Sequence, residues 1–271
     1  MYLHQMATPD TAAAVAANQV ARRYCSSALY AHSVRSYLWG VAYAVRHGMD
    51  FDLELFYVSA MLHDVRLTRP FDAHQMPFEE AGGQVAWVFG AAAGWTDDRR
   101  TRVAKVIEKH MWTSVDPLED VEGHLLEVAT GIDISGRGLD VIPIEFQTEV
   151  VAVWPRLDLA AEFTECVRVQ GERKPTSRAA DLTRGGLADA LSHLLPSSGE
   201  GGASRLQQEN PWVPEQGVRH RPQRPRRATH SPPAQSPHYR PQVPARPGTR
   251  RDAAAGDRQR PRQGRCLYLT S

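Results

Sequence analysis

From Thr11 to Leu195 the apolar residues recur at intervals of three and four, and alternating runs are almost absent. That spacing gives each helix one apolar stripe and leaves a strand no face to bury, so it predicts an all-α fold. Helices are expected over about 13–29, 30–47, 53–63, 77–93, 97–111, 118–134, 145–154, 159–170 and 177–195. In the second, Val34, Leu38, Val41 and Val45 form the stripe and Gly48 closes it; in the third, Asp52 is a candidate N-cap ahead of Leu55, Val58 and Leu62. Pro77 suits a first helical turn and Pro155 a stop, and loops are expected over 66–76, 113–117 and 135–143.

The pattern ends near Pro196, where composition changes. Residues 196–271 hold 12 of the 19 prolines and 14 arginines against 5 acidic residues, a net of +9. The first 195 residues therefore carry −8, and the overall +1 is a cancellation between unlike halves. So few large apolar side chains cannot offset the entropy lost on ordering, which predicts a folded domain over 1–195 and a disordered Pro/Arg-rich tail over 196–271. Arginines in the tail would allow weak contacts with nucleic acid or an acidic partner, but a −8 domain opposes a nucleic-acid-binding role. Cys25, Cys166 and Cys266 lie far apart without a CxxC pair, which fits a reducing compartment and gives no zinc-finger spacing. The N-terminus lacks a basic start followed by an apolar core, and no stretch approaches the ~20 apolar residues of a membrane span. A cytoplasmic protein without a membrane segment is expected, with homo-oligomerisation left open.

Four polar residues interrupt this apolar helical pattern. His32, His63, Asp64 and Asp133 each place a good metal ligand within or at the end of a largely apolar helix. His63 and Asp64 end the segment YVSAMLHD, where two successive side chains can turn toward one point. Asp133 follows Leu126 and Ala129 by seven and four residues, on the buried face of its helix. Two imidazoles and two carboxylates suit one divalent ion, Zn, Fe, Mn, Co or Ni, with positions left for water and substrate. A lone helical histidine is more often a satisfied core residue, and an HD dipeptide alone is common, so spacing and context decide.

The set HSVR at His32–Arg35, LHD at Leu62–Asp64 and IDISG at Ile132–Gly136 resembles the HD superfamily of metal-dependent hydrolases. PFEEAGGQVA from Pro77, KHMW from Lys109 and RKPTSRAADL from Arg173 narrow the likeness to the cyanamide hydratase-like branch, over about 21–195. The resemblance implies an all-helical fold with His32, His63, Asp64 and Asp133 as the metal ligands. It also implies that Glu79 and His110 face the site as orienting or proton-transferring groups. The other readings of these two are a helix-start carboxylate and a helix-end cation. Arg35, one turn beyond His32, is a candidate for an anionic substrate or for a salt bridge near Asp133. The chain departs from many HD phosphohydrolases at HDVRLT, where Val65 stands in place of a common glycine.

The leading expectation is a phosphohydrolase acting on a small phosphoester, with Arg35 and Arg66 as the candidate phosphate partners. The alternative is a hydratase in which water activated at the metal adds to a C≡N carbon, in a tight apolar pocket lined by residues such as Phe78, Trp112 and Ile134. A non-catalytic HD binding module is a third reading, which the complete ligand set opposes.

Overall fold

The computed structural model describes Leu3 and residues 6–192, which fold as ten α-helices joined by turns and three short 3-10 segments, with no strand among them. The helices are α1 (Ala12–Tyr24), α2 (Ser27–His47), α3 (Leu53–Leu62), α4 (Phe78–Ala92) and α5 (Asp97–Lys109). They continue with α6 (Val121–Ser135), α7 (Ile144–Val153), α8 (Leu159–Arg173), α9 (Arg178–Arg184) and α10 (Leu187–Ser192). The all-α expectation holds, and the tail over 196–271 lies outside the described residues. No described helix is long and apolar enough to cross a membrane.

Local chemistry sets most boundaries. Asp52 caps α3 by accepting from the Leu55 amide at 2.9 Å, and Gly48 ends α2 in the left-handed region at φ 64°. Two expected helices are broken. The segment over 13–29 divides at Cys25–Ser26, where Ser26 is extended and its hydroxyl accepts from the Leu29 amide at 3.1 Å. A serine side chain offers the backbone a cap in place of a further helical turn, while the apolar spacing runs on unchanged. The segment over 177–195 divides at Gly185–Gly186, with Gly186 at φ 83°.

α2 is the central helix: 16 of its 21 residues are buried, so it is surrounded rather than amphipathic. α1, α3, α6, α7 and α8 all pack against it. Gly40 makes the α3 contact possible, because a Cβ there would lie 2.2 Å from Cζ of Phe56. Two apolar clusters result. The larger joins Leu38, Trp39, Phe56, Leu62, Ile107, Leu126 and Phe146; the smaller joins Leu29, Phe78, Leu159, Phe163, Val167 and Leu187. His32 and His110 meet the smaller cluster, with the His32 ring 5.8 Å from that of Phe163 and the His110 ring 5.8 Å from that of Phe78.

Candidate metal centre

α3 stops at Leu62; His63 keeps helical dihedrals (φ −57°, ψ −37°) and Asp64 leaves them (φ −105°, ψ 7°). This turn carries both side chains toward His32 of α2, so that His32, His63 and Asp64 each offer a ligand atom within 4.8 Å of the others. Nε2 of His32 and Nε2 of His63 lie 3.2 Å apart, and Oδ2 of Asp64 lies 3.4 and 3.2 Å from them. His110, at the end of α5, turns its Nε2 to within 3.7 Å of Oδ1 of Asp64.

The far side of each ring determines which nitrogen faces this cluster. Nδ1 of His63 donates to the Ala60 carbonyl at 2.8 Å, Nδ1 of His110 donates to the Ile107 carbonyl, and Nδ1 of His32 donates to Oδ2 of Asp133 at 2.6 Å. A proton on each Nδ1 leaves a lone pair on each Nε2. Three lone pairs thus converge beside a carboxylate whose two oxygens, both buried, accept no hydrogen bond. A bare buried carboxylate is costly, and lone pairs 3.2 Å apart repel; a divalent cation relieves both. The nitrogen and oxygen donors suit zinc or a neighbouring transition metal.

The side chains also act on one another's charge. Burial pushes the Asp64 carboxyl up, but the neighbouring His63 and His32 outweigh it and hold the group below the usual carboxylate range. Burial lowers His32, and its hydrogen bond to Asp133 and its contact with Asp64 reverse that, leaving it raised. For His110 burial and the His63 charge act together and lower it to about 4, so its imidazole is neutral at pH 7.

Asp133 stands apart from the expected four-ligand set. It lies behind His32, on the Nδ1 side of the ring, and its oxygens are already occupied by Arg35 (Nε–Oδ1 and Nη2–Oδ2, both 2.8 Å) and by Nε1 of Trp39 at 2.8 Å. Burial raises this carboxyl, and the Arg35 charge and the His32 bond bring it well below its ordinary value. The cation that Asp133 demands is a guanidinium. His32, Arg35 and Trp39 occupy one stripe of α2 at i, i+3 and i+7 and grip the carboxylate together.

Arg35 is accordingly fully buried, gives its remaining nitrogen to the Trp154 and Pro155 carbonyls, and has no access to a substrate. Of its two expected roles, the salt bridge is the one the geometry contains. Glu79 is buried, and burial raises its carboxyl; it lines an adjoining cavity with Met76, Glu80 and Glu108, which shares Trp112 and Arg178 with the cavity over the histidines. A carboxylate in the first turn of α4 is aimed by the helix direction, which the motif alone does not reveal.

A cavity of about 370 Å³ opens above the cluster, floored by His32, His63, Asp64 and His110. Its walls are mostly apolar, from Met111, Trp112, Ile134, Phe163, Leu182 and Leu187, with Thr130 and Gly131 of α6 beside them. Trp112 and Ile134 stand where the hydratase reading put them, whereas Phe78 packs on His110 outside the lining. Sequence reasoning did not find Phe163, Glu127, Arg137 or Arg178. The two cations bordering the space are both paired, Arg137 with Glu127 and Arg178 with Asp181.

An all-helical domain with a buried His, His, Asp centre at the floor of a cavity is the class of protein that fold and site define. The chain is similar to cyanamide hydratase DDI2 and cyanamide hydratase DDI3 of Saccharomyces cerevisiae, each 28% identical over 180 residues that span 64% of this chain and 79% of the relative. No family model matches the chain.

Proposed function

We propose that this chain is a metal-dependent hydratase of the HD type that adds water to a C≡N group, the reading its similarity to two cyanamide hydratases supports. The observation that carries it is Asp64: a buried carboxylate, bare on both oxygens, facing the Nε2 atoms of His32, His63 and His110 at the floor of an apolar cavity. His32, His63 and Asp64 would hold one divalent ion, and Asp133 would act through His32 by fixing its proton on Nδ1. A cation held there would supply a nucleophile from water near neutral pH and would draw electron density from the nitrile. His110, neutral and with a free Nε2, accepts the proton released from water and returns it to the nitrile nitrogen. The apolar walls exclude competing solvent.

Phosphoester hydrolysis, the leading expectation from sequence, has less support. Neither Arg35 nor Arg66 borders the cavity, and the two arginines that do already hold protein partners, Arg137 with Glu127 and Arg178 with the Met111 carbonyl, Thr113 and Asp181. A phosphate would enter a space with no unpaired cation among the described residues. The test is metal analysis of the purified chain, followed by parallel assays on cyanamide, nucleoside monophosphates and a simple phosphodiester. Urea formation from cyanamide is the expected result, and His63→Ala or Asp64→Ala should remove both metal and turnover. Retention of metal by both variants would refute the ligand assignment; phosphate release without urea would refute the hydratase reading.

A further inference from the structure

We propose that the preferred substrate is not the three-atom cyanamide molecule but an uncharged cyanamide or nitrile bearing an aryl or aralkyl body. This rests on the hydration reading above and names its substrate class. Cyanamide displaces little more than two waters, roughly 60 Å³ at ~30 Å³ each. The cavity of about 370 Å³ is several times larger, within the ~300–1,000 Å³ range of sites that enclose ligands of drug size. The hydratase reading anticipated a tight pocket, and the space is apolar as expected but not tight.

Its shape explains what the remaining volume is for. At the floor, His32, His63 and Asp64 are at most 1% exposed, whereas Trp112, also in the lining, is 54% exposed and stands where the cavity meets solvent. The apolar lining also includes Met111, Ile134, Phe163, Leu182 and Leu187. A molecule held only at the floor would leave these apolar surfaces against water, and covering them is the favourable term that binding can use. A C≡N group at the cluster with a ring directed outward covers them.

Charge narrows the class further. Arg137 is paired with Glu127, and Arg178 gives its nitrogens to the Met111 carbonyl, the Thr113 hydroxyl and Asp181, so an ionised body would have to displace bonds already made. The chemistry is unchanged by the body. The water oxygen bonds to the nitrile carbon, its two protons end on nitrogen, and R–NH–C≡N with H₂O gives R–NH–C(=O)–NH₂ with no oxidant and no leaving group.

The test compares cyanamide with benzylcyanamide on the zinc-loaded full chain, following urea and benzylurea by mass spectrometry. We expect kcat/KM for benzylcyanamide to exceed that for cyanamide at least tenfold, chiefly through KM, in keeping with the ~10-fold or greater discrimination an apolar pocket gives per added group. Cyanamide turned over as well as or better than benzylcyanamide would overturn the inference while leaving the hydratase reading intact. Failure to hydrate either would overturn the hydratase reading and this inference with it. Leu182→Trp, checked for folding by circular dichroism, should reduce the benzylcyanamide-to-cyanamide ratio at least tenfold and weaken calorimetric binding of benzylurea. An unchanged ratio with unchanged benzylurea binding would overturn the placement of the body against Leu182.

Discussion

Two buried carboxylates flank the His32 ring, and their surroundings are opposite. Asp133, on the Nδ1 side, is saturated: Arg35 bonds it twice, Trp39 and His32 once each, and Arg156 reaches its backbone carbonyl at 2.7 Å. Asp64, on the Nε2 side, accepts no hydrogen bond at all. The contrast separates architecture from function. Asp133 sits in a closed network with Arg35, Trp39 and His32, whereas Asp64 has no hydrogen-bond donor and, in the function proposed above, is the carboxylate that a cation would complete.

That difference predicts unequal responses to removing the two charges. The largest effect is expected for Asp133→Ala, which strands Arg35 as an uncompensated buried cation; a loss of about 3–5 kcal/mol in denaturant unfolding is the scale for breaking such a pair. Asp64→Asn should instead abolish metal binding at a smaller cost to the metal-free protein, because Asp64 accepts no hydrogen bond that the substitution would break and strands no buried cation. Equal destabilisation by both substitutions, read from unfolding of metal-free samples, would erase the distinction. Chelation gives a further check: stripping the metal should lower the unfolding free energy of the parent by about 3 kcal/mol if the ion is present at ~100 times its dissociation constant, and should not change Asp64→Asn.

A smaller effect sharpens the Asp133 side. Trp39→Phe keeps the ring and deletes one donor to Oδ1, for an expected cost of about 1–3 kcal/mol with metal content retained. The smallest concerns Asp120, an acid of a third kind, which caps α6 and meets cations that water can also reach. Its carboxylate accepts from the Gly123 amide at 2.7 Å and from Lys109 at 2.8 Å, and also pairs with Arg102. Burial raises this group, and the bonds from Lys109 and Arg102 outweigh it, so its pKa is lowered on folding. A depressed carboxyl contributes stability that is fully present above the unfolded value and lost as pH falls through the folded one. Asp120→Asn keeps the cap and removes the charge, and should cost about 1 kcal/mol at pH 7, since Arg102 and Lys109 are partly solvated. In acid unfolding the difference from the parent should shrink as pH falls through the ordinary carboxylate range and vanish once it passes the lowered folded value.

Much of the fold was legible in the sequence, because helix formation depends on spacing and on local caps that neighbouring residues supply. Asp52 and Gly48 acted where their chemistry indicated. The breaks at Ser26 and Gly185–Gly186 were not anticipated, since the apolar periodicity continues across both and only a competing cap or a permissive glycine interrupts it. At the centre, the turn that brings His63 and Asp64 side by side was readable from a helix end, and the placement of His32 opposite them from its isolation on an apolar helix. Glu79 was not, because its direction depends on how α4 packs against α5.

The sequence alone determined that this chain is helical and that a small set of histidines and aspartates lies within its apolar segments, because periodicity and polarity are properties of residue order. Only the tertiary structure decided which face of the His32 ring each carboxylate meets. It also decided that Arg35 answers Asp133 rather than a substrate, and that the cavity far exceeds the volume of the smallest nitrile. Those outcomes depend on distances between side chains about a hundred residues apart in the chain, which packing sets and local pattern does not encode.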